Sequence, residues 1–109
     1  DLLHWSDWRL VHAAHQIATG RWSHECPHVV ERGGRFYLFR TEDYATARTH
    51  VFCSDNPRDF GVGAAADEKY LGELPVAAPE IIFDASGQEY ITSNHDLRLG
   101  TQLCRLTWE

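Results

Sequence analysis

Short runs of apolar and β-branched residues alternate with polar or glycine-rich turns along most of this chain. Val29-Val30 and the aromatic run at residues 36–39 are joined by Arg32-Gly33-Gly34, which is the pattern of a β-hairpin. A further run lies at residues 50–53 and ends at the turn signal Asp55-Asn56-Pro57. The second half of the chain predicts three more strands, at residues 80–83, 89–92 and 102–106. The pattern therefore predicts an all-β, antiparallel chain.

The segments between these runs are assigned by their polarity. Residues 8–11 have the composition of a strand, whereas residues 41–49 are polar and are predicted to be a loop with ragged strand ends. Residues 61–77 are rich in glycine, alanine and charge and are predicted to be a connection, in which residues 64–71 form the one fair helical stretch.

The hairpin pattern occurs twice, at a nearly constant offset. Pro27 and Pro79 are 52 positions apart, and Tyr37 and Tyr90 are 53 positions apart, so one residue is inserted at the second turn. A period near 50 that is built from hairpins is typical of the blades of a β-propeller. The repeat predicts that Pro27 and Pro79, and likewise Tyr37 and Tyr90, occupy matching places.

The repeat also divides the chain. Residues 54–61 close one unit, and residues 1–5 resemble the same closing element of the unit before. We therefore expect residues 1–20 to end one blade, residues 21–61 to form a second, and residues 62–109 to form a connection and a third. Propellers close with roughly 4–8 blades of about 40–50 residues. The chain holds about two of these, which predicts a piece of a longer protein or a subunit that assembles with copies of itself.

Composition narrows the range of partners. Ten basic residues against 16 acidic ones give a net charge of −6, which argues against a nucleic acid because phosphate binding needs a positive surface. No apolar run approaches the roughly 20 residues that span a bilayer, so no membrane partner is expected. Three cysteines, at positions 26, 53 and 104, lack zinc-site spacing and are expected to be free thiols, which favours a cytoplasmic location.

A resemblance to a known group of enzymes begins at residues 22–30. Glu25-Cys26-Pro27, a glycine turn and then residues 36–39 resemble the five-bladed propeller glycoside hydrolases, namely families 32 and 43, which include β-fructofuranosidases, arabinanases and xylosidases. Glu25-Cys26-Pro27 is similar to the Glu-Cys-Pro of the fructosidase-like branch, although many fructosidases have Asp where this chain has His28. The resemblance covers the last two blades or so of five.

The resemblance implies specific roles. Glu25 matches the general acid of the family, and the other two catalytic carboxylates belong to blades that this chain does not contain. The implied reaction is cleavage of a furanoside or small oligosaccharide, without an organic cofactor and without a metal ligand set in this chain. Some arabinanase-like relatives hold calcium in the central channel, so calcium is the one ion that the resemblance suggests.

The chemistry of the candidate residues agrees with such a role. Glycoside cleavage needs a carboxylic acid that protonates the leaving oxygen and a second carboxylate across the sugar ring. Trp22 and His24 are candidates for stacking on sugar or hydrogen bonding to it, and His28 and Glu80 occupy matching places of the two units as further candidate contacts.

Each candidate also has a structural alternative. Glu25 would otherwise be a solvated or salt-bridged carboxylate at a strand start, Trp22 a core residue, and His24 a structural loop residue. Glu80 and His28 would otherwise line the channel without contacting substrate. The rival function is a non-catalytic module whose funnel binds carbohydrate or closes by self-association.

Overall fold

Two antiparallel β-sheets make up most of this protein. The computed structural model describes residues 3–20, 25–96 and 98–109. Strands account for 42% of the residues and helix for 5%. The prediction of an all-β, antiparallel chain is therefore confirmed. Within the described residues, neither sheet closes into a barrel and no complete propeller ring is formed.

The first sheet is a four-stranded meander. Its strands are β1 (Glu25–Arg32), β2 (Arg35–Asp43), β3 (Arg48–Ser54) and β4 (Tyr70–Leu74), in the order β1-β2-β3-β4. Gly33 and Gly34 form the β1–β2 turn with φ of +60° and +78°, the left-handed pair that a tight two-residue hairpin requires. A short helix, α1 (Ala64–Glu68), precedes β4.

The second sheet repeats the first three strands. It contains β5 (Ile81–Phe83), β6 (Glu89–Ser93) and β7 (Gln102–Arg105), in that order. The turn between β5 and β6 is fixed by the Asp84 carboxylate, which accepts hydrogen bonds from the backbone N–H groups of Ser86 (2.8 Å) and Gln88 (3.0 Å). A short acidic side chain that bonds to the backbone just ahead of it is a common way to close a turn.

The strand register repeats as the spacing predicts. Tyr37 on β2 lies opposite Val30 on β1, and Tyr90 on β6 lies opposite Ile82 on β5. Val30 and Ile82 are 52 positions apart, the same offset as the two prolines. The third strands follow the same rule, because Tyr37 lies opposite Cys53 and Tyr90 lies opposite Arg105. The two sheets are thus built on one pattern of pairing.

Two apolar clusters flank the first sheet. One joins both sheets and contains Phe39 and Val51 from the first, Ile81 and Ile91 from the second, and Val76 from the connection between them. Leu38 and Phe52 belong to the other cluster, because neighbouring residues of a strand point to opposite faces. Ala18 and Phe60 complete that second cluster. The first sheet is therefore covered on one face by the second sheet and on the other by the segment before β1.

Two local predictions need correction, and a third is confirmed. Residues 8–11 form no strand, since no strand of the described ranges pairs with them and the nearest pairing is an isolated parallel bridge between Ala13 and Val62. Residues 41–49 form the predicted loop with strand ends, because residues 44–47 turn while Thr41 and Thr49, at the ends of β2 and β3, pair directly. The fourth strand of the first sheet, β4, lies inside the segment that was predicted to be a connection.

The described part of the chain contains no helix that is long and apolar enough to cross a membrane. All three cysteines fall within that part, and each is a free thiol, with Cys53 buried and the other two exposed.

Candidate functional site

The candidate site lies where the first strand of each sheet begins. At the start of β1, Glu25 pairs with Thr41 and His28 pairs with Phe39, so β1 carries one residue more than β2 between these two pairs. This is a β-bulge, and bulges redirect the side chains next to them. Within the bulge Cys26 has φ +46°, a left-handed conformation that is costly for a residue with a Cβ atom.

The second unit repeats this geometry before β5. Ala78 precedes Pro79 and has φ +48°, which matches Cys26 before Pro27. The backbone N–H of Asn94 donates to the carbonyl of Ala77 (2.9 Å), in the place where Thr41 pairs with Glu25 in the first unit. Glu25 therefore corresponds to Ala77, which is buried, and the carboxylate occurs in one unit only.

Glu25 lines a small cavity of about 330 Å³ at the β2–β3 turn. The other residues of its wall are Glu42, Asp43, Tyr44 and Ala45. The Tyr44 hydroxyl and the Cys26 Sγ form a hydrogen bond of 2.7 Å, which fastens the bulge to the turn.

Tyr44 keeps its proton in this environment. Its hydrogen bond with Cys26 raises the pKa of the phenol to about 12, and burial and the negative charge of Glu25 act in the same direction. The cavity therefore offers a carboxyl group beside a neutral hydroxyl.

A second, larger cavity of about 490 Å³ lies between the starts of the two sheets. Its walls come from three places: residues 26–28 of the first unit, residues 78–80 of the second, and the side chains of Thr92, Asn94 and Thr101. His28 and Glu80, which the repeat placed at matching positions, both line this cavity. Its volume lies within the range of about 300–1,000 Å³ that small-molecule sites occupy.

The polar groups of the larger cavity are fixed by the backbone around them. The Ile81 N–H donates to the Nε2 atom of His28 (3.3 Å), so this nitrogen acts as an acceptor and joins the two sheets. The Glu80 N–H donates to the Oγ1 atom of Thr92 (2.9 Å), while the Glu80 side chain is exposed. Glu80 is therefore a carboxylate on a rigid backbone that is open to a ligand.

Two buried threonines hold the wall on the Pro79 side. The hydroxyls of Thr41 and Thr49 lie 3.0 Å apart, and both residues are fully buried. Thr49 donates to the carbonyl of Val76 (2.7 Å), and Thr41 accepts from the N–H of Ala78 (2.8 Å). The sequence did not indicate this pair, because both residues lie at the ragged strand ends of the predicted loop and nothing in their local sequence marks them.

A carboxylate–histidine pair lies at the wall of the Glu25 cavity, and the sequence did not indicate it. Glu42 accepts from the Nε2–H of His50 (2.7 Å), from Arg48 (3.3 Å) and from the N–H of Gly20 (2.9 Å). The hydrogen bond from His50 is the main reason that the pKa of Glu42 is lowered. Alternation along β2 and β3 places Glu42 and His50 on one face, but the sequence did not give the extent of the strand ends on which this depends.

The predicted site residues thus fall into three sets: those that line the larger cavity, the one that lines the smaller cavity, and those outside the described residues. His28 and Glu80 share the larger cavity, and Glu25 lines the smaller one. Cys26, in the wall of the larger cavity, bonds to Tyr44 in the wall of the smaller one. Trp22 and His24 lie outside the described residues. Within residues 3–20, 25–96 and 98–109, no group of three or more His, Cys, Asp or Glu side chains could hold a metal ion.

Comparison with known proteins finds no matching family model, no matching curated protein and no matching solved structure.

Proposed function

We propose that this chain forms about two blades of a five-bladed β-propeller glycoside hydrolase similar to families 32 and 43, and that Glu25 is its general acid. The proposed substrate is a furanoside or a small oligosaccharide. The meander order β1-β2-β3-β4 and its three-stranded repeat in the second sheet support this architecture, since a propeller blade is a four-stranded antiparallel meander.

The observation that carries the proposal is the place of Glu25. It lies at the bulged start of β1, the first strand of one unit and the proposed inner strand of its blade, where the other unit has buried Ala77. A propeller directs the starts of its inner strands toward one central funnel, and glycoside cleavage uses a single proton donor. A carboxyl group that occurs in one unit only, at a strand start, meets both requirements.

The second carboxylate of the reaction is assigned to blades outside this chain. Cleavage needs a group across the sugar ring from the acid, either as a nucleophile or as a base that activates water. The carboxylates that share the cavity of Glu25, namely Glu42 and Asp43, lie on its own blade. The isolated chain is therefore proposed to be inactive, with the missing blades or further copies as its partners.

The larger cavity is assigned to substrate binding. His28, Glu80, Thr92 and Asn94 place an imidazole, a carboxylate, a hydroxyl and an amide around one space. Sugar hydroxyls both donate and accept hydrogen bonds, and this mixture of groups offers both. The cavity shares Cys26 with the bulge that holds Glu25, so a sugar bound there would extend toward the proposed acid.

The test replaces Glu25 by Gln in the full-length protein that carries this chain. General acid catalysis typically contributes about 10²–10⁴-fold. We expect hydrolysis of alkyl glycosides to fall by roughly that factor, whereas aryl glycosides, whose leaving groups need less protonation, should lose much less. Glu68→Gln, on the short helix α1, is the matched control. Equal rates for Glu25→Gln and wild type on both substrate classes would reject the proposal.

A second candidate function is a carbohydrate-binding module without catalysis. It is favoured by the separation of the two cavities, because His28 and Glu80 can hold a sugar without any contribution from Glu25. Calorimetric titration of the chain with oligosaccharides distinguishes the two functions. A pure binder should bind with Glu25→Gln at wild-type affinity, lose affinity with Glu80→Gln, and show no hydrolysis in the full-length protein.

A further inference from the structure

Gly20 and Glu25, the described residues on either side of residues 21–24, bond to two consecutive residues of β2. On one side, the N–H of Gly20 donates to the Oε1 atom of Glu42 (2.9 Å). On the other side, the backbone of Glu25 pairs with Thr41, the residue just before Glu42. Glu25 is therefore bonded to β2 at Thr41, and Gly20 is bonded to it at the next residue, Glu42.

The contact between Gly20 and Glu42 is a close one. A Cβ atom on residue 20 would collide with the carboxylate of Glu42, so only glycine permits the approach. The Glu42 side chain is largely buried, with 15% of its surface exposed, and its second oxygen accepts from His50, whose side chain is 6% exposed. The Nδ1 atom of His50 faces the hydroxyl of Tyr70 on β4 (3.4 Å). Glu42 is thus held in one orientation by strands β3 and β4.

The same carboxylate also borders the cavity of Glu25. Glu25 and Glu42 both line the space of about 330 Å³ beside Tyr44. One oxygen of Glu42 therefore accepts from Gly20, and the residue itself forms part of the wall of the cavity that Glu25 lines.

We propose that Glu42, oriented by His50, is a positioning residue that fixes the strand start carrying Glu25 and thereby sets where the Glu25 carboxyl lies in its cavity. Its importance for catalysis rests on the proposed role of Glu25 as the acid, but the positioning itself does not. Nothing in the proposal requires Glu42 to touch a substrate.

The first experiment needs no activity. Amide and carboxyl-carbon NMR signals of Glu25 are compared in wild type, Glu42→Gln, Gly20→Ala and the control Glu73→Gln, an exposed carboxylate on β4 that lies 3.8 Å from Arg48. We expect both of the first two variants to shift the signals of Glu25, and the control to leave them unchanged. Because the two changes act on one contact, the double variant should shift them no further than the larger single shift.

The second experiment measures hydrolysis by the full-length protein. A displaced proton donor should lower kcat for alkyl glycosides by roughly 10- to 100-fold in Glu42→Gln and spare aryl glycosides. Glu73→Gln should match wild type on both. A variant that merely loses stability would lose activity on both substrates alike, and this outcome would overturn the proposal.

The two experiments separate the two claims. If Glu42→Gln folds and the signals of Glu25 stay at their wild-type positions, the positioning role is wrong whatever the activity. If those signals move while Glu25→Gln itself hydrolyses alkyl glycosides at the wild-type rate, positioning is supported and the proposed function of Glu25 fails.

Discussion

Cys26 and Ala78 share an unusual backbone conformation at equivalent places of the two sheets. Their φ angles are +46° and +48°, and a proline follows each of them. Left-handed backbone costs a residue with a Cβ atom roughly 1–2 kcal/mol, so it persists only where surrounding contacts impose it. Two occurrences 52 positions apart show that the contacts imposing it belong to the repeated unit and not to one local sequence.

The turn between β2 and β3 contains a third such residue and provides a stability test. Ala47 has φ +51°, and its N–H donates to the carbonyl of Tyr44 (3.2 Å). Ala47→Gly removes the Cβ strain and should raise the free energy of unfolding by roughly 0.5–1 kcal/mol, measured by urea denaturation. Ala45→Gly, two residues earlier and outside the left-handed region, should lower it by a similar amount. Destabilisation by both changes would contradict the turn geometry.

The buried threonine pair predicts a non-additive double variant. Thr41→Val leaves the Ala78 N–H without its acceptor, and Thr49→Val leaves the Val76 carbonyl without its donor. An unsatisfied buried polar group costs about 1–3 kcal/mol, so each single variant should lose that much in the free energy of unfolding. The two hydroxyls also bond to each other, so the double variant should lose less than the sum of the two losses.

Strict additivity of the two losses would show that the hydroxyls do not interact. Thr107→Val, near the end of the chain and exposed, serves as the control and should stay within about 0.5 kcal/mol of wild type.

The contact between His28 and Ile81 can be followed by amide hydrogen exchange. His28 Nε2 is the acceptor for the Ile81 N–H, and this bond links the two sheets. His28→Leu removes the acceptor, and a net loss of about 1 kcal/mol corresponds to exchange of the Ile81 amide that is roughly fivefold faster. His28→Gln retains an acceptor on a flexible side chain and should recover part of the protection. Unchanged exchange at Ile81 in His28→Leu would argue against the bond.

The sequence predicted the repeated part of the fold well, because proline and tyrosine spacing determine register. A strand pattern has a period of two, so a shift of one residue would turn every side chain to the opposite face. Matching Pro27 with Pro79 and Tyr37 with Tyr90 therefore constrained both sheets together. The same argument brought His28 and Glu80 to one cavity, since residues at equivalent places of neighbouring units lie side by side.

The elements that failed to follow from the sequence depend on distant partners. Strand β4 follows shortly after an alanine-rich helix and contains Gly72, a residue that is rare in strands. The local sequence of this segment therefore favours a connection. It becomes a strand because β3 offers an edge to pair with. Residues 8–11 show the reverse, since their strand composition finds no such edge within the described ranges. The cavity of Glu25 likewise depends on a distant contact, because the sequence predicted the loop that contains residues 44–47 but not that this turn lies beside Glu25.

The Glu42–His50 pair predicts how stability depends on pH. The hydrogen bond from His50, followed by the one from Arg48, holds the pKa of Glu42 below its usual 4.5, although burial acts in the opposite direction. A carboxyl group whose pKa is lower in the folded state releases its proton more readily there than in the unfolded chain. Its contribution to stability is therefore fully present above about pH 4.5 and is lost as the pH falls through the lowered value.

The free energy of unfolding should accordingly be measured from about pH 7 to about pH 3 for wild type and Glu42→Gln. We expect wild type to be the more stable protein at neutral pH and the difference to shrink as the solution becomes acidic, because the protonated Glu42 carboxyl and the amide that replaces it are then nearly isosteric and both uncharged. Asp59 and Asp84 also have lowered pKa values, but they are present in both proteins and cancel in the difference. A difference that stays constant down to the acid limit would mean that the negative charge of Glu42 is not what stabilises the wild-type protein.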